Sequence, residues 1–304
     1  MNRAASTSSV AIGAVDALGA AGKAKKWIPS SLRLVRRHPK IAVGAAILVI
    51  MTMLAIFAPL LGTIDPREIA LGKRLRPPSA EFWFGTDALG RDLYSRVLYG
   101  GRISVLVGVA CALLSSVGGV VIGMVAASGK WLDALMMRIT DGLMSIPSML
   151  LAIALMAVTR GSLGTVIVAI TIVEVPRVAR MIRGVVLSLR EQPFVEAAVA
   201  AGSTMPKIIW RHLLPAVVSP LTVQATFVGS AAIVIEAGLS FIGAGTPPTI
   251  PSWGNIMADG KTLWQIKPYL VFIPAVFLTA TVLGVNLLGD GLRDALDPRL
   301  SERA

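Results

Sequence analysis

The stretch that decides the fold is EQPFVEAAVAAGSTMPKIIWRHLLP, residues 191–215, which lies between two apolar stretches and is itself more polar. Pro193 suits the first turn of a helix, where its missing N–H would have no partner. Glu196 and the alanines that follow it favour helix. Gly202 stands where a residue in the left-handed conformation commonly ends a helix. The segment therefore begins with a predicted short helix that ends at a glycine.

A second short helix is predicted directly after this glycine. Ser203 or Thr204 can cap its first turn, because a side-chain oxygen there accepts a backbone N–H. Pro206 lies near its start, and Pro215 lies beyond its predicted end. Two short helices of this kind are typical of a loop that meets a soluble partner. An ordinary amphipathic linker helix is the alternative.

Outside this segment the chain is strongly apolar. Of its 304 residues, 55% are hydrophobic and 15% are charged, and the mean hydropathy is +0.74. Soluble domains carry about 25% charged residues, so the composition indicates an integral membrane protein. The net charge is +12, but the basic residues lie beside apolar stretches and not on one soluble module. We therefore expect contact with membrane lipid and no nucleic-acid partner.

Catalytic, metal and cofactor sites are not expected. Cys111 lies inside an apolar stretch, and His38 and His212 are far apart in sequence. These residues offer no disulfide or thiolate metal site within one chain. Residues 260–262 resemble the end of a phosphate-binding loop, but Asn255 stands where that loop needs a glycine. We predict a protein that is not an enzyme and has no ATPase of its own.

Six stretches are long enough to cross a hydrocarbon core of about 30 Å, which needs about 20 mainly apolar residues. They cover residues 41–62, 103–127, 139–158, 163–182, 216–243 and 268–289. The third and fourth form a hairpin across a tight turn at residues 160–162. The sequence therefore predicts an all-α integral membrane protein with six transmembrane helices.

The distribution of lysine and arginine predicts that both termini are cytosolic, N-in and C-in. With this orientation 19 basic residues lie inside and 10 lie outside. The external loop at residues 63–102 opposes the rule, because it carries seven basic residues. It also carries five acidic residues, so we expect it to be a folded layer on the membrane surface.

Four regions follow from these spans. They are a basic cytosolic tail at 1–40, a first span and external loop with a surface elbow at 41–102, a core of five helices at 103–290 with the cytosolic loop 191–215, and a cytosolic tail at 291–304. In the elbow, the pattern predicts that Leu93, Val97 and Leu98 face lipid while neighbouring arginines point elsewhere.

Ionisable and strongly polar groups inside spans are costly and mark candidate functional positions. Glu236 could line a translocation cavity, or it could anchor the external loop that follows it. Asn286 is the one strongly polar residue of the sixth span and is a second candidate for the cavity. Arg177, Arg180 and Arg183 share one helical face, where contact with anionic headgroups is favoured over a role with substrate.

The spacing within 191–215 resembles the EAA loop of importer-type ABC permeases. The matching pattern is Glu196-Ala197-Ala198, three residues, Gly202, eleven residues, and then Leu214-Pro215. The family usually has Ile two positions before the Leu, where this chain has His212. The resemblance implies that a cytosolic ATPase docks on this loop. The residues it assigns to coupling are Glu196, Ala197, Ala198, Gly202, Ser203, His212, Leu214 and Pro215.

Other stretches are similar to the oligopeptide/dipeptide branch of this family, specifically its C-type subunit. They are FGTDALGRDLYSRVLYGGRISVLVG at 84–108, IPSMLLAIAL at 146–155, VARMIRG at 178–184 and EAGLSFIGAGTPPTIPSWGNIM at 236–257. Val175 departs from the pattern, since the family often has Trp there. The resemblance covers about residues 30–300.

This resemblance implies a type I ABC importer permease fold in the inner membrane of a prokaryote. It also implies a heterodimer with a homologous permease, two cytosolic ATPase subunits and a periplasmic substrate-binding protein. The implied cargo is a di- or oligopeptide, and nickel complexes or opines are alternatives within the family. A stand-alone secondary transporter is the alternative from another class. It is less favoured because the span centres are almost free of charge and no internal repeat is evident.

Overall fold

The computed structural model of the chain describes residues 39–158 and 161–296, and all regular elements in these ranges are helical. The α-helices are α1 Pro39–Ile56, α2 Leu93–Ser128, α3 Lys130–Met144, α4 Ser148–Val158, α5 Leu163–Arg190, α6 Pro193–Ala200, α7 Met205–Ile208, α8 Leu214–Ile242, α9 Trp253–Gly260 and α10 Tyr269–Leu296. A π-helical segment, Ile209–Leu213, joins α7 to α8. Most of the two predicted tails lies outside the described residues.

Four helical segments are long and apolar enough to cross a membrane: α1, α2, the continuous helix Ile209–Ile242, and α10. A fifth would be the pair of α3 and α4, if the two together count as one span. Helix α5 has 28 residues, which is also sufficient length, but it carries Glu174 and several arginines. The chain is therefore a helical integral membrane protein, and the count of six spans stays a prediction.

The predicted third span, 139–158, is wrong as a continuous helix. Helices α3 and α4 meet at 90° across a break of three residues. Pro147 explains the break, since proline disfavours the helical conformation of the residue before it, here Ile146. With 11 residues, α4 is about 16 Å long and too short to span the hydrocarbon core alone.

Helix α2 begins ten residues before the predicted span and has no separate elbow. Asp92 caps its first turn by accepting hydrogen bonds from the N–H of Ser95 at 2.9 Å and from its hydroxyl at 2.5 Å. Leu93 and Val97 are buried in a cluster with Trp253, and Leu98 is buried as well. The expectation that these side chains face lipid is therefore wrong.

The central contact of the bundle is between α2 and α5. Gly119 and Gly123 bring the two backbones close together, in the manner of small residues at helix contacts in membranes. A methyl group at Gly119 would overlap the side chain of Val178, and one at Gly123 would lie 2.8 Å from the carbonyl oxygen of Ala179. Helix α5 ends at Arg190, directly before residues 191–215.

Candidate coupling surface

Helix α6 has the limits that the sequence predicts. Pro193 lies in its first turn, and Gly202 adopts the left-handed conformation with φ +76°. The N–H of Gly202 donates to the carbonyl of Val199 at 2.9 Å, and the N–H of Ser203 donates to that of Ala198 at 3.0 Å. These two bonds form a Schellman motif, which satisfies the last carbonyls of the helix. The predicted end of the helix at Gly202 is confirmed.

The second helix begins as predicted but does not end before Pro215. The N–H of Ile208 donates to the carbonyl of Thr204 at 3.0 Å in the first turn of α7. The chain then passes through the π-helical segment into α8, whose first turn contains Pro215. A proline has no N–H to donate and crowds the carbonyl four residues back in a regular α-helix. The wider π turn accommodates it.

The segment is held to the bundle by apolar side chains. Val195 from α6, Ile208 from α7 and Leu213 from the π segment are buried in one cluster with Ile182 of α5 and Val217 of α8. The guanidinium of Arg190 adds a hydrogen bond from the end of α5 to the carbonyl oxygen of Ala127, at the end of α2. A displacement of α6 would therefore be transmitted to α5 and α8, since packed cores deform little.

The outer face of the segment is unusually apolar for an exposed surface. Phe194, Val199 and Trp210 are exposed, with 73% exposure for Trp210. A groove of about 340 Å³ runs along α6 and is lined by Arg190, Val195, Glu196, Val199, Ala200 and Met205. Apolar groups around a groove are typical of a protein-binding surface. We call residues 191–215 the coupling segment.

The structure separates the predicted coupling residues into two groups. Glu196, Ala197, Gly202 and Pro215 are exposed, whereas Ala198, Ser203, His212 and Leu214 are half-buried. Ala198 packs against the buried cluster, and the ring of His212 lies 6.3 Å from that of Phe194. The motif did not point to Phe194, Val199 or Trp210. For Phe194 and Val199 the signal was the mainly apolar composition of α6, which its inner contacts alone do not explain.

The row of arginines on α5 pairs with carboxylates instead of standing free for headgroups. Arg180 donates to Asp141 at 2.5 Å. Arg183 binds Asp133 through two nitrogens, with 2.6 Å for the bond from Nη2. These partners belong to α3, so the two ion pairs tie α3 to α5. The expectation that the row mainly anchors on headgroups does not match these contacts.

Glu236 lies in a buried polar cluster at the other end of α8. It is fully buried, and its Oε1 accepts hydrogen bonds from the hydroxyls of Ser240 at 2.8 Å and Thr246 at 3.4 Å. Asn255 of α9 donates to the same Thr246 hydroxyl at 2.9 Å. Of the two alternatives for Glu236, the contacts favour the one in which it anchors the loop that follows α8.

Asn286 is half-buried on α10 and forms no side-chain hydrogen bond with any residue in the described ranges. The structure of the single chain does not bring it together with Glu236 in one cavity. An apolar groove of about 360 Å³ between α1, α2, α8 and α10 includes Thr281 and Val285 but neither of these two residues. Their role in a translocation cavity stays a prediction.

The external loop is folded, and most of its basic residues have local partners. Arg96 donates to Asp87 at 2.6 Å and to Asp259 of α9 at 2.8 Å, and Arg91 binds the same two carboxylates. Arg102 donates to the carbonyls of residues 55 and 56, at the end of α1. We call the four side chains Asp87, Arg91, Arg96 and Asp259 the ion cluster.

At the rim of this loop, Lys73 donates to Glu81 at 2.8 Å. The ammonium group beside it lowers the pKa of the Glu81 carboxyl. With Arg74 and Arg76, six of the seven basic side chains of the loop thus have an acceptor within the described part of the chain.

Comparison with known proteins identifies the family. Residues 119–302 match the family of binding-protein-dependent transport system inner membrane components. The chain belongs to this family. As such a component it is an inner-membrane protein of a prokaryotic transport system and not a stand-alone secondary transporter.

Relatives of this transport component cover nearly the whole chain. A probable peptide ABC transporter permease of Sinorhizobium fredii is 48% identical over 93% of this chain and 97% of its own length. The oligopeptide transport system permease of Bacillus subtilis is 40% identical over 92% and 94%. The dipeptide transport system permease of Alkalihalophilus pseudofirmus is 40% identical over 89% of each.

Among solved structures, the inward-facing MetNI methionine ABC transporter has the same fold. The TM-score is 0.57 at 21% identity, and the match covers 66% of this chain and 96% of the other. The predicted ABC importer permease fold is therefore confirmed.

Proposed function

We propose that the chain is one of two permease subunits of an ATP-driven importer and that it carries di- or oligopeptides. The observation that carries the proposal is the exposed, apolar helix α6, which is ended by a left-handed glycine and packed onto two long helices. A stand-alone carrier has no use for such a surface. The peptide cargo is supported by the names of the relatives that match 89% or more of the chain.

The proposed partners are a homologous permease in a heterodimer, two cytosolic ATPase subunits and a periplasmic substrate-binding protein. ATP-driven closure of the ATPase dimer moves α6. The buried contacts of Val195 and Leu213 pass this motion to α5 and α8, which move as rigid bodies and alternate access to the pathway. ATP hydrolysis itself belongs to the partner subunits.

The proposed topology has six spans with both termini cytosolic. The proposed regions are again 1–40, 41–102, 103–290 and 291–304, except that α2 begins at Leu93 within the second of them, and the coupling segment is on the cytosolic side. A nickel complex or an opine is the alternative cargo within the same family.

The test is affinity purification of the tagged chain from gently solubilised membranes, with its partners identified by mass spectrometry. We expect ATPase subunits to co-purify with the wild type and to be lost when Val199, exposed beside the groove, is replaced by Asp. Ile69→Asp is the matched control, because Ile69 is also exposed but lies in the external loop, outside the coupling segment.

Recovery of the wild-type chain without ATPase subunits, active in ion-driven uptake, would contradict the proposal. Retention of the ATPase by the Val199→Asp variant would contradict the docking role of α6. The cargo is tested separately, by uptake of a radiolabelled tripeptide into liposomes that contain the purified complex. Uptake of nickel or an opine in place of the peptide would support the alternative cargo.

A further inference from the structure

Arg177 is a charged group that the coupling surface does not use. It lies about 21 Å beyond Leu163 along the axis of α5, at a rise of 1.5 Å per residue. In the proposed topology the hydrocarbon region begins near Leu163 and is about 30 Å thick, so Arg177 lies in its inner half, toward the cytosolic end of the predicted span 163–182. A charge at such a depth normally faces a water-filled pathway or a partner group.

Glu174 forms an ion pair with this guanidinium from the buried side of α5. Glu174 is completely buried, whereas the side chain of Arg177 is 49% exposed. Nη1 of Arg177 donates to both carboxylate oxygens, at 3.0 and 2.8 Å. The pair is neutral in sum, but only its positive member reaches the surface. A solute that approaches the pair therefore meets a positive group in a fixed position.

The hydrogen bonds of the arginine row distinguish Arg177 from its neighbours. Arg183 uses both Nε and Nη2 on Asp133, so one edge of its fork is filled. For Arg177, Nε and Nη2 have no acceptor in the part of the chain that the structure describes. This free edge has two parallel N–H donors, which is the geometry that binds a carboxylate bidentately.

A small cavity lies against this arginine, at the break between α3 and α4. Its volume is about 120 Å³, which is enough for a carboxylate group and some water. It is lined by Leu143, Met144, Ile146, Pro147, Ser148, Leu151, Val173 and Arg177. Broken helices are tolerated at membrane depth where they line a cavity. The break between α3 and α4 and the side chain of Arg177 therefore meet at one cavity.

We infer that Arg177, positioned by Glu174, binds a carboxylate of the cargo on its way through the membrane. The ligand class is a small solute with an accessible carboxylate, such as the C-terminus of a peptide. This inference rests on the proposed import of peptides and adds a specificity-determining residue to it. The binding protein selects cargo before it reaches the membrane, and Arg177 selects it again within the pathway.

The experiment compares trialanine with trialanine amide, which lacks the carboxylate. Import is measured in liposomes that contain the full complex with its ATPases, partner permease and binding protein. The quantity compared is the import rate of trialanine divided by that of trialanine amide. Because the binding protein is the same in every preparation, a change in this ratio reports on the permease. Arg177→Gln is expected to lower this ratio about tenfold, as the loss of a charge-assisted hydrogen bond does. Arg177→Lys, which keeps the charge but loses the fork, is expected to lower it less.

Two variants separate recognition from folding. Arg180→Gln removes an arginine of equal exposure one turn away, and it is expected to leave the ratio unchanged. The double variant Glu174→Gln/Arg177→Gln avoids a buried carboxylate without a partner, and it is expected to lower the ratio as Arg177→Gln does. An unchanged ratio in both Arg177→Gln and the double variant, or an equal loss of import of both peptides, would overturn this inference and leave the proposed function standing. A wild-type complex that hydrolyses ATP but imports neither peptide would overturn the proposed cargo, and the inference with it.

Discussion

At the scale of single residues, Gly202 shows how a backbone conformation sets a surface. Its φ of +76° is the reason for the glycine, because a Cβ there would have no atom within 4 Å. An L-residue in this conformation costs about 1–2 kcal/mol. Such a residue would destabilise the Schellman motif that ends α6. It would therefore also shift the exposed residues just before that motif.

We therefore expect Gly202→Ala to weaken ATPase co-purification and to lower the temperature of thermal unfolding in detergent. Gly202→Asn is expected to reduce ATPase co-purification and the unfolding temperature less, since Asn tolerates the left-handed region. Gly184→Ala is the control: Gly184 also has open space, but it lies inside helix α5 without a positive φ. It is expected to be neutral or slightly stabilising. Equal effects at the two positions would rule out the backbone explanation.

At the scale of elements, the contact between α2 and α5 depends on glycine for the opposite reason, which is lack of space. Gly119→Ala places a methyl group against Val178 and is expected to cost about 1–3 kcal/mol through overpacking. Gly142→Ala, on α3, meets no atom within 4 Å and serves as the control. The measurement is the unfolding temperature of each purified variant. A stable Gly119→Ala variant would show that the two helices pack less tightly than described.

The ion cluster ties the external loop to α9, and Arg96 is its most buried member. Arg96→Met is expected to destabilise the protein by about 1–3 kcal/mol. The loss is smaller than for an isolated buried pair, because Asp87 keeps Arg91 as a partner. Arg67→Met, at a residue whose side chain forms no ion pair with the described part of the chain, is the control. Protease cleavage of the external loop should become faster in Arg96→Met only; equal rates in both would contradict the tie.

Local signals predicted α6 and its end at Gly202, because a proline at the start and a glycine at the end of a helix act within a few residues. The break in the third span also had a local signal, Pro147, but apolar residues on both sides concealed it. The partners of Leu93 and Arg183 could not be predicted in this way. Trp253 is 160 residues from Leu93, and Asp133 is 50 residues from Arg183. No short pattern relates residues so far apart.

At the scale of the whole molecule, the balance of basic residues and the family agree on one arrangement. In the proposed topology the coupling segment faces the cytosol, and the external loop with α9 faces the binding protein. Most of the basic residues of that loop are held by carboxylates or carbonyls, so the loop is a folded layer and not a set of free charges.

The orientation predicts which positions a membrane-impermeant maleimide labels in intact spheroplasts. In a Cys111→Ser background, a cysteine at Glu68 in the external loop is expected to react. A cysteine at Ala200 in α6 is expected to react only after the membrane is opened. Both residues are exposed in the structure, so access to the side chain itself is matched. The reverse pattern would invert the topology.

The most direct test of the coupling surface is site-specific photo-crosslinking from Ala197, which is exposed on α6. A photoreactive residue at Ala197 is compared with one at Glu68, in cells that express the whole complex. We expect a covalent product between this chain and an ATPase subunit from Ala197, and none from Glu68. Absence of that product from Ala197, in a complex that still imports its cargo, would contradict the assignment of residues 191–215 as the coupling segment.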